Sequence, residues 1–328
     1  MSFTRLTDSF GRPIDYLRIS VTDRCNFRCI YCLPPEGFAS LGRDDLLTFE
    51  EIARVAQIFL QMGGKKLRLT GGEALVRKDI TKLVSKLSKL KGLKNLGLTT
   101  NGFYLKELAR SLKKAGLKTI NVSLDSVLPS RFAQLTGVDQ FKKVWEGVEA
   151  ALLCGLKTKI NVVVLRGISP AEIISFGEMA RDLPLEIRFI EFMPLCGSGW
   201  HPEWMLPIHG VREILKKHFS LIPMVRGAEV AEAYQIQGGQ GVLGFIASMT
   251  EPFCSRCSRM RLTADGRLHP CLFSNLQFNL KEKLRGGWAD HEIAYAIAHA
   301  VGQKPAGHGV LWPIQDPSQF PKIRFLGG

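Results

Sequence analysis

The sequence predicts an α/β protein: a partial, open (β/α)6 barrel of the TIM type, with a C-terminal α+β extension closing the barrel mouth. Three observations carry that reading. Short β-like runs alternate with helical patterns of period 3.6 from Tyr16 to Phe192. Six strand–helix units in succession imply a parallel sheet with right-handed crossovers, yet six are too few for a closed eight-fold barrel. Polar or glycine-rich punctuation recurs at one end of these strands, which is where ligands sit in such sheets.

Each element has its own warrant. The first strand covers Tyr16–Val21, and a cysteine group begins four residues later. A helix over Phe49–Met62 puts Ile52, Val55, Ala56 and Phe59 on one face, with Thr48 as N-cap and Glu51 at the capping-box position. The second strand, Lys66–Thr70, runs into Gly71-Gly72-Glu73. The helix over Asp79–Leu90 turns Ile80, Leu83, Val84, Leu87 and Leu90 inward, and Lys82, Lys86 and Lys89 toward solvent. The strand Asn95–Thr99 leads to Thr100-Asn101-Gly102, and Thr119–Leu124 closes on Ser123 and Asp125. Lys159–Leu165 is the fifth strand, and Glu186–Phe192, the sixth, closes on Glu191 and Met193. After about Leu195 the alternation stops. Gly197–Trp204 reads as loop, Gly210–His218 as a short helix, Gly238-Gly239-Gln240-Gly241 as a flexible break and Asp290–Val301 as a helix before a Pro- and Gly-rich tail. The expected division is a core domain over 8–230 and a C-terminal domain over 231–328.

Composition narrows the class. With 328 residues, 45% hydrophobic and 23% charged, the chain has an ordinary globular make-up, which excludes a disordered, collagen-like or disulfide-stapled protein. No run approaches about 18 apolar residues, so no membrane span is expected. The start, Met1 to Asp8, lacks the apolar stretch of a secretory signal. The expected compartment is cytoplasmic, where thiols stay reduced. The net charge of +14 points to a polyanionic partner: nucleic acid, an anionic membrane surface or a phosphorylated small molecule.

Six of the eight cysteines form two groups of three. Cys25, Cys29 and Cys32 make a C-x3-C-x2-C run, and thiolates so close in a reducing compartment are metal ligands before they are disulfide partners. Zinc sites usually present C-x2-C pairs and four ligands, whereas three thiolates without a nearby fourth suit a four-iron cluster with one iron left open. Cys254 and Cys257, followed by Cys271 after thirteen residues, are less specific. His269 could complete a Cys3His zinc site, so iron–sulfur and zinc both stand on spacing alone. Cys154 and Cys196 read as small buried hydrophobes.

The C-x3-C-x2-C run with an aromatic before its last cysteine, and Gly-Gly-Glu after the second strand, resemble the radical S-adenosylmethionine (SAM) enzymes. Longer stretches resemble the branch of that superfamily that cyclises GTP in molybdenum cofactor biosynthesis. They are Asp15 to Cys25, Leu69 to Glu73, Thr99 to Gly102, Asn121 to Asp125, Phe192-Met193-Pro194, Phe253 to Thr263 and the terminal Gly327-Gly328. Ala74, where that family usually has proline, and Leu326, where it usually has isoleucine, are mild departures.

The resemblance implies two [4Fe-4S] clusters, held by Cys25, Cys29 and Cys32 and by Cys254, Cys257 and Cys271. The first would chelate SAM, contacted by Tyr31, Gly72, Ser123 and Met193. The second would meet the guanine of GTP, with His269 a bystander. Arg18, Arg68, Thr99, Lys159, Arg259, Met260 and Arg261 match the family's GTP contacts. Arg259, Arg261, Gly327 and Gly328 carry catalytic roles, the tail reaching into the site. Cleavage of SAM would give a 5′-deoxyadenosyl radical that takes hydrogen from ribose C3′, after which C3′ attacks guanine C8. The partners implied are a one-electron reductant of the flavodoxin or ferredoxin type, the downstream cyclic pyranopterin monophosphate synthase and a second copy of the chain, with neither nucleic acid nor membrane. Two other readings compete: a radical SAM peptide-modifying enzyme with an auxiliary cluster, and a zinc-stabilised RNA-binding protein. The latter lacks basic strands interleaved with aromatics.

Overall fold

The computed structural model describes residues 5–32, 40–195, 198, 200–225, 230–308 and 326. Its frame is one sheet in which β1 (Tyr16–Ser20), β2 (Lys66–Thr70), β3 (Asn95–Thr100), β4 (Thr119–Ser123), β5 (Lys157–Val164) and β6 (Glu186–Glu191) pair in chain order, all parallel. Helices α1 (Phe49–Gln61), α2 (Ile80–Ser88), α3 (Leu105–Lys114), α4 (Pro129–Thr136), α5 (Phe141–Leu153) and α6 (Pro170–Asp182) fill the crossovers. The six strands anticipated from periodicity are all present, with ends that differ by at most two residues.

α1 starts as its cap dictates: the Thr48 side chain accepts from the Glu51 amide at 3.1 Å and the Glu51 carboxylate accepts from the Thr48 amide at 2.7 Å. α2 begins one residue later than its pattern. Asp79 takes a left-handed conformation (φ 61°), one that Asp tolerates better than most side chains.

The region beyond Leu195 corrects the expectation of lost alternation. α7 (Ile208–His218) leads to an antiparallel meander, β7 (Leu221–Pro223), β8 (Glu232–Ile236) and β9 (Val242–Ile246). β9 then pairs parallel with β6. On the opposite edge β10 (Arg259–Leu262) pairs parallel with β1, followed by β11 (Arg267–His269) and β12 (Phe278–Asn279). The parallel core thus counts eight strands, and its order β12-β11-β10-β1-β2-β3-β4-β5-β6-β9-β8-β7 leaves the barrel unclosed among the described residues. Gly238 to Gly241, read as a flexible break, is instead a packed hairpin turn. A Cβ at Gly241 would lie 2.3 Å from the Leu185 carbonyl oxygen and 2.5 Å from that of Ala180. β7 and β8 pair across residue 230, so the segments 8–230 and 231–328 share a sheet.

α8 (Leu280–Arg285) and α9 (Asp290–Gly302) are the last helices named among the described residues. Alternate residues of each strand, such as Leu17, Ile19, Leu67, Leu69, Leu96, Leu98, Ile120, Val122, Ile160 and Val162, pack into one apolar core with the helices. No described helix is long and apolar enough to cross a membrane.

Candidate active site

The strand residues between those core positions are polar. Because successive side chains of a strand alternate faces, and one alternate set of each strand is committed to the core, the intervening set lines the barrel's concave side. Register aligns them: Arg261 is level with Arg18, Arg18 with Arg68, Arg68 with Gly97 and Gly97 with Thr119. One step along, Thr99 is level with Asn121, Asn121 with Lys159 and Lys159 with Glu186; beyond them Ser123 faces Asn161, and Asn161 faces Arg188.

Arg18, Arg68, Thr119, Asn121, Lys159, Asn161, Arg188 and Arg261 of this set wall a cavity of about 240 Å3. It gathers Arg18, Arg68, Lys159, Arg259, Met260, Arg261 and Met193 from the site predicted by sequence, together with Cys254, Cys257 and Cys271. Met260 belongs to the apolar core and is 1% exposed, so what it can offer a ligand is backbone. Thr99 stands beside Asn121 in the adjoining strand. Gly327 and Gly328 lie outside the described residues, as does Cys196; Leu326 is buried, and its carbonyl accepts from Arg261 Nη1 at 3.0 Å. Cys154 is half-buried against the core at the end of α5.

Arg68, Lys159, Arg188 and Arg261 are buried. Arg68 Nε donates to the Tyr16 hydroxyl at 2.5 Å and Nη1 to the Leu98 carbonyl at 3.1 Å. Gly97 makes room for it: a Cβ there would sit 2.7 Å from Arg68 Nη2. Lys159 pairs with Glu186 at 2.7 Å, and Arg188 is bonded to the same carboxylate. Burial, followed by the charges of Arg18 and Arg259, pushes the Arg261 pKa well below the usual guanidinium range. Burial would raise the Tyr16 phenol, but Arg68, Arg18 and Arg259 prevail and bring it down to about 8. Four buried side-chain oxygens nearby, Thr99 Oγ1, Asn121 Oδ1, Asn161 Oδ1 and Ser248 Oγ, have no hydrogen-bond partner among the described residues. Unpaired buried polar atoms and crowded cations are costly, and a bound polyanion with donor groups relieves both.

The second cysteine group suits metal binding. Burial would raise the Cys257 thiol, but Arg259 and Lys304 beside it lower it to about 6, so the thiolate that metals require is populated at neutral pH. The Arg259 guanidinium lies 4.8 Å from the centre of the Phe253 ring. Burial, then the charge of Arg261, lowers the His269 imidazole to about 4, so it is neutral.

The first cysteine group sits on the rim, at the C-terminal ends of the strands, outside the cavity lining. Cys25 Sγ accepts from the Phe27 amide at 3.4 Å, and Asn101 bonds Asn26 Oδ1 at 2.8 Å. Asn101 is in turn held by Glu73, which also accepts from Thr100 Oγ1 and the Leu75 amide. Burial raises the Glu73 carboxyl to about 7. Burial, and the neighbouring charges of Cys32, Asp125 and Cys25, keep the Cys29 thiol well above its usual range. The Tyr31 hydroxyl donates to Asp125, whose other oxygen accepts from the Val163 amide at 2.7 Å. Tyr31 and Met193 both pack against a small apolar cluster that includes Phe192 and Trp200. Gly71 and Gly72 serve first to seat the cysteine loop: Cβ atoms there would lie 2.7 Å from the Thr22 carbonyl oxygen and 2.5 Å from that of Arg24. No group of three His, Cys, Asp or Glu among the described residues is arranged around a single metal ion. Thiolates of a four-iron cluster each bind a different iron and need not converge on one point.

Comparison with known proteins decides the family. The model for the Radical SAM superfamily matches residues 19–180, and that for Molybdenum Cofactor Synthesis C matches residues 185–310. The GTP 3′,8-cyclase of Moorella thermoacetica is 44% identical over 306 residues, covering 92% of this chain and 95% of that protein. This chain belongs to the GTP 3′,8-cyclase family of radical SAM proteins. Human molybdenum cofactor biosynthesis protein 1 is 41% identical over 97% of this chain, which spans about half that protein's length. Streptococcus suis SuiB, solved bound to S-adenosylmethionine, shares the fold at 15% identity with a TM-score of 0.60, over 99% of this chain and 77% of that one.

Within this member of the cyclase family, sequence reasoning missed Tyr16, Asn121, Asn161, Arg188, Ser248 and Lys304 as cavity residues. A signal for most of them exists. Parallel strands buried on both faces read as continuous apolar runs, yet Tyr-Leu-Arg-Ile, Lys-Leu-Arg-Leu and Arg-Met-Arg-Leu alternate. Strict alternation in a βα unit marks a polar lumen. Lys304 lies in an irregular segment and leaves no such mark.

Proposed function

We propose that this chain is a radical SAM enzyme that converts GTP to (8S)-3′,8-cyclo-7,8-dihydroguanosine 5′-triphosphate, the first step of molybdenum cofactor biosynthesis. The observation that carries it is the cavity itself: six or more cations and the unsatisfied oxygens of Asn121, Asn161 and Ser248 line it together with a thiol triad, in a chain of the GTP 3′,8-cyclase family. Cys25, Cys29 and Cys32 would hold one [4Fe-4S] cluster and Cys254, Cys257 and Cys271 another. When bound, the first cluster and SAM supply a 5′-deoxyadenosyl radical, the species that removes the ribose C3′ hydrogen.

The protein's part is to bind, orient and exclude. Arg18, Arg68, Lys159, Arg259 and Arg261 supply the charge that a triphosphate needs in a buried place. The Met260 backbone and Thr99 complete that contact set. Tyr31, Gly72, Ser123 and Met193 seat SAM on the rim; Ser123 is level with Asn161 of the cavity wall, so the two halves are contiguous. A carbon radical at C3′ then bonds to C8, and one further electron and a proton complete the product. Holding C3′ against C8 and keeping water out matters more here than acid–base strength. Arg261 anchors the tail at Leu326, which supports a role for Gly327 and Gly328 inside the site.

The same reading includes a flavodoxin- or ferredoxin-type reductant, transfer of product to cyclic pyranopterin monophosphate synthase, a homodimer and a cytoplasmic location. It places the radical SAM core in 8–230, and the second cluster with the GTP-binding Arg259 and Arg261 in 231–328. The test is metal analysis and turnover under strict anaerobiosis. About eight irons per chain and no zinc are expected, from two four-iron clusters. Reduced enzyme should form deoxyadenosine from SAM only when GTP is present; formation independent of GTP would overturn the reading.

A further inference from the structure

Two buried cations clamp the segments that carry the second cysteine group. Arg12, ahead of β1, donates from Nη1 to the Cys254 carbonyl at 2.8 Å and to the Ala306 carbonyl at 2.7 Å. Lys304, just past α9, is 3% exposed, and its Nζ donates to the Arg259 carbonyl at 2.7 Å and to the Pro270 carbonyl. Arg259 lies two residues after Cys257, and Pro270 immediately precedes Cys271. One ammonium therefore ties together both ligand-bearing segments, and it lines the cavity with them.

The two cations differ in how their charge is met. Arg12 Nε pairs with the buried Asp8 carboxylate at 2.5 Å. Lys304 has only two neutral carbonyls, and no carboxylate lies within ion-pair distance of it among the described residues. Carbonyl dipoles solvate an ammonium but do not neutralise it, and a buried charge without a counter-charge is costly. The negative charge that acts on it is that of the Cys257 and Cys271 sulfurs, opposed by the like charges of Arg259 and Arg12.

We propose that Lys304 is the counter-cation of the second cluster, setting that cluster's reduction potential while its two carbonyl bonds hold the Cys257 and Cys271 segments together. It is a positioning residue. The inference rests on the reading that Cys254, Cys257 and Cys271 hold a four-iron cluster. Three thiolates outweigh the charge of an oxidised four-iron core, so the assembly is anionic, and net charge is among the determinants of such potentials. A fixed cation beside it favours the reduced, more negative state. Removing that cation lowers the potential.

The test compares the anaerobic holoenzyme with Lys304→Gln and Lys304→Arg by iron analysis and by redox titration followed by EPR, adding SAM to separate the first cluster's signal. The expected result is about eight irons in all three, two clusters of four. The second cluster's midpoint should shift to more negative values in Lys304→Gln, stay near the original in Lys304→Arg, and leave the first cluster's midpoint unmoved in both. Full iron with an unshifted midpoint in Lys304→Gln would overturn the proposal. If Lys304→Gln loses the second cluster, retention in Lys304→Arg supports the need for charge, and loss in both overturns it. An unsubstituted chain with only about four irons would count instead against the two-cluster reading beneath it.

Discussion

Tyr16 shows what three guanidinium groups do to a single phenol. Arg68, Arg18 and Arg259 overcome the effect of burial and lower its pKa to about 8. The folded chain thus holds that proton less tightly than the unfolded chain does. Its stability should rise as pH climbs from about 8 toward 10, and that gain should disappear as pH falls back through 8. Denaturant titrations of the original chain and Tyr16→Phe should therefore diverge across this window; a difference that ignores pH would show an unshifted phenol. A triphosphate beside the same arginines offsets their charge, so GTP should move the phenol's titration back up, as read by phenolate absorbance. Arg259→Ala and Arg261→Ala should each weaken GTP binding by about 10- to 100-fold, since a hydrogen bond to a charged group contributes about 1.5–3 kcal/mol. Iron content should stay unchanged in both; iron loss would make these arginines structural. Arg259 and Arg261 were legible in sequence because two residues apart on a strand share a face. The unsatisfied Asn161 and Ser248 were not, because an orphaned oxygen exists only once neighbours are placed around it.

At the scale of elements, the turn after β2 is the joint on which the first cysteine loop rests. A Cβ on Gly72 would meet the Arg24 and Asp23 carbonyl oxygens at 2.5 and 2.6 Å, and backbone cannot retreat as a side-chain tip can. Gly72→Ala should displace the loop and cost the first cluster, seen as a fall of about half the iron, given two clusters of four. Gly210 in α7 has nothing within 4 Å of its would-be Cβ. Gly210→Ala should keep all the iron and raise stability by up to about 1 kcal/mol through helix propensity. The βα units were readable because each long amphipathic helix repeats its pattern over several turns. β9 and β10 were not. They stand outside the run of strand–helix units that frames β1 to β6, and their partners are strands far away in the chain.

Across the whole molecule, the two edges of the parallel core are both supplied by residues after 240, so the region carrying the second cysteine group is built into the sheet that carries the first. Arg261 on β10 is level with Arg18 on β1 and also binds the Leu326 carbonyl, joining edge, barrel and tail at one guanidinium. Deleting residues 326–328 should remove the Leu326 carbonyl from that group and open the cavity to water. SAM cleavage should then run ahead of GTP cyclisation, giving more than one deoxyadenosine per product by chromatography; a ratio still at one would show that the tail does not seal the site. The amino-acid order alone determined the strand–helix alternation, the thiol triads and the arginine pair, because these depend on spacing within a few residues. Only the tertiary structure decided that eight parallel strands rather than six form the core, that the alternate polar faces of separate strands meet as one cavity, and that Lys304 lies between two cysteine segments. Those facts depend on register between strands and on which distant segments share buried space, and no local pattern encodes either.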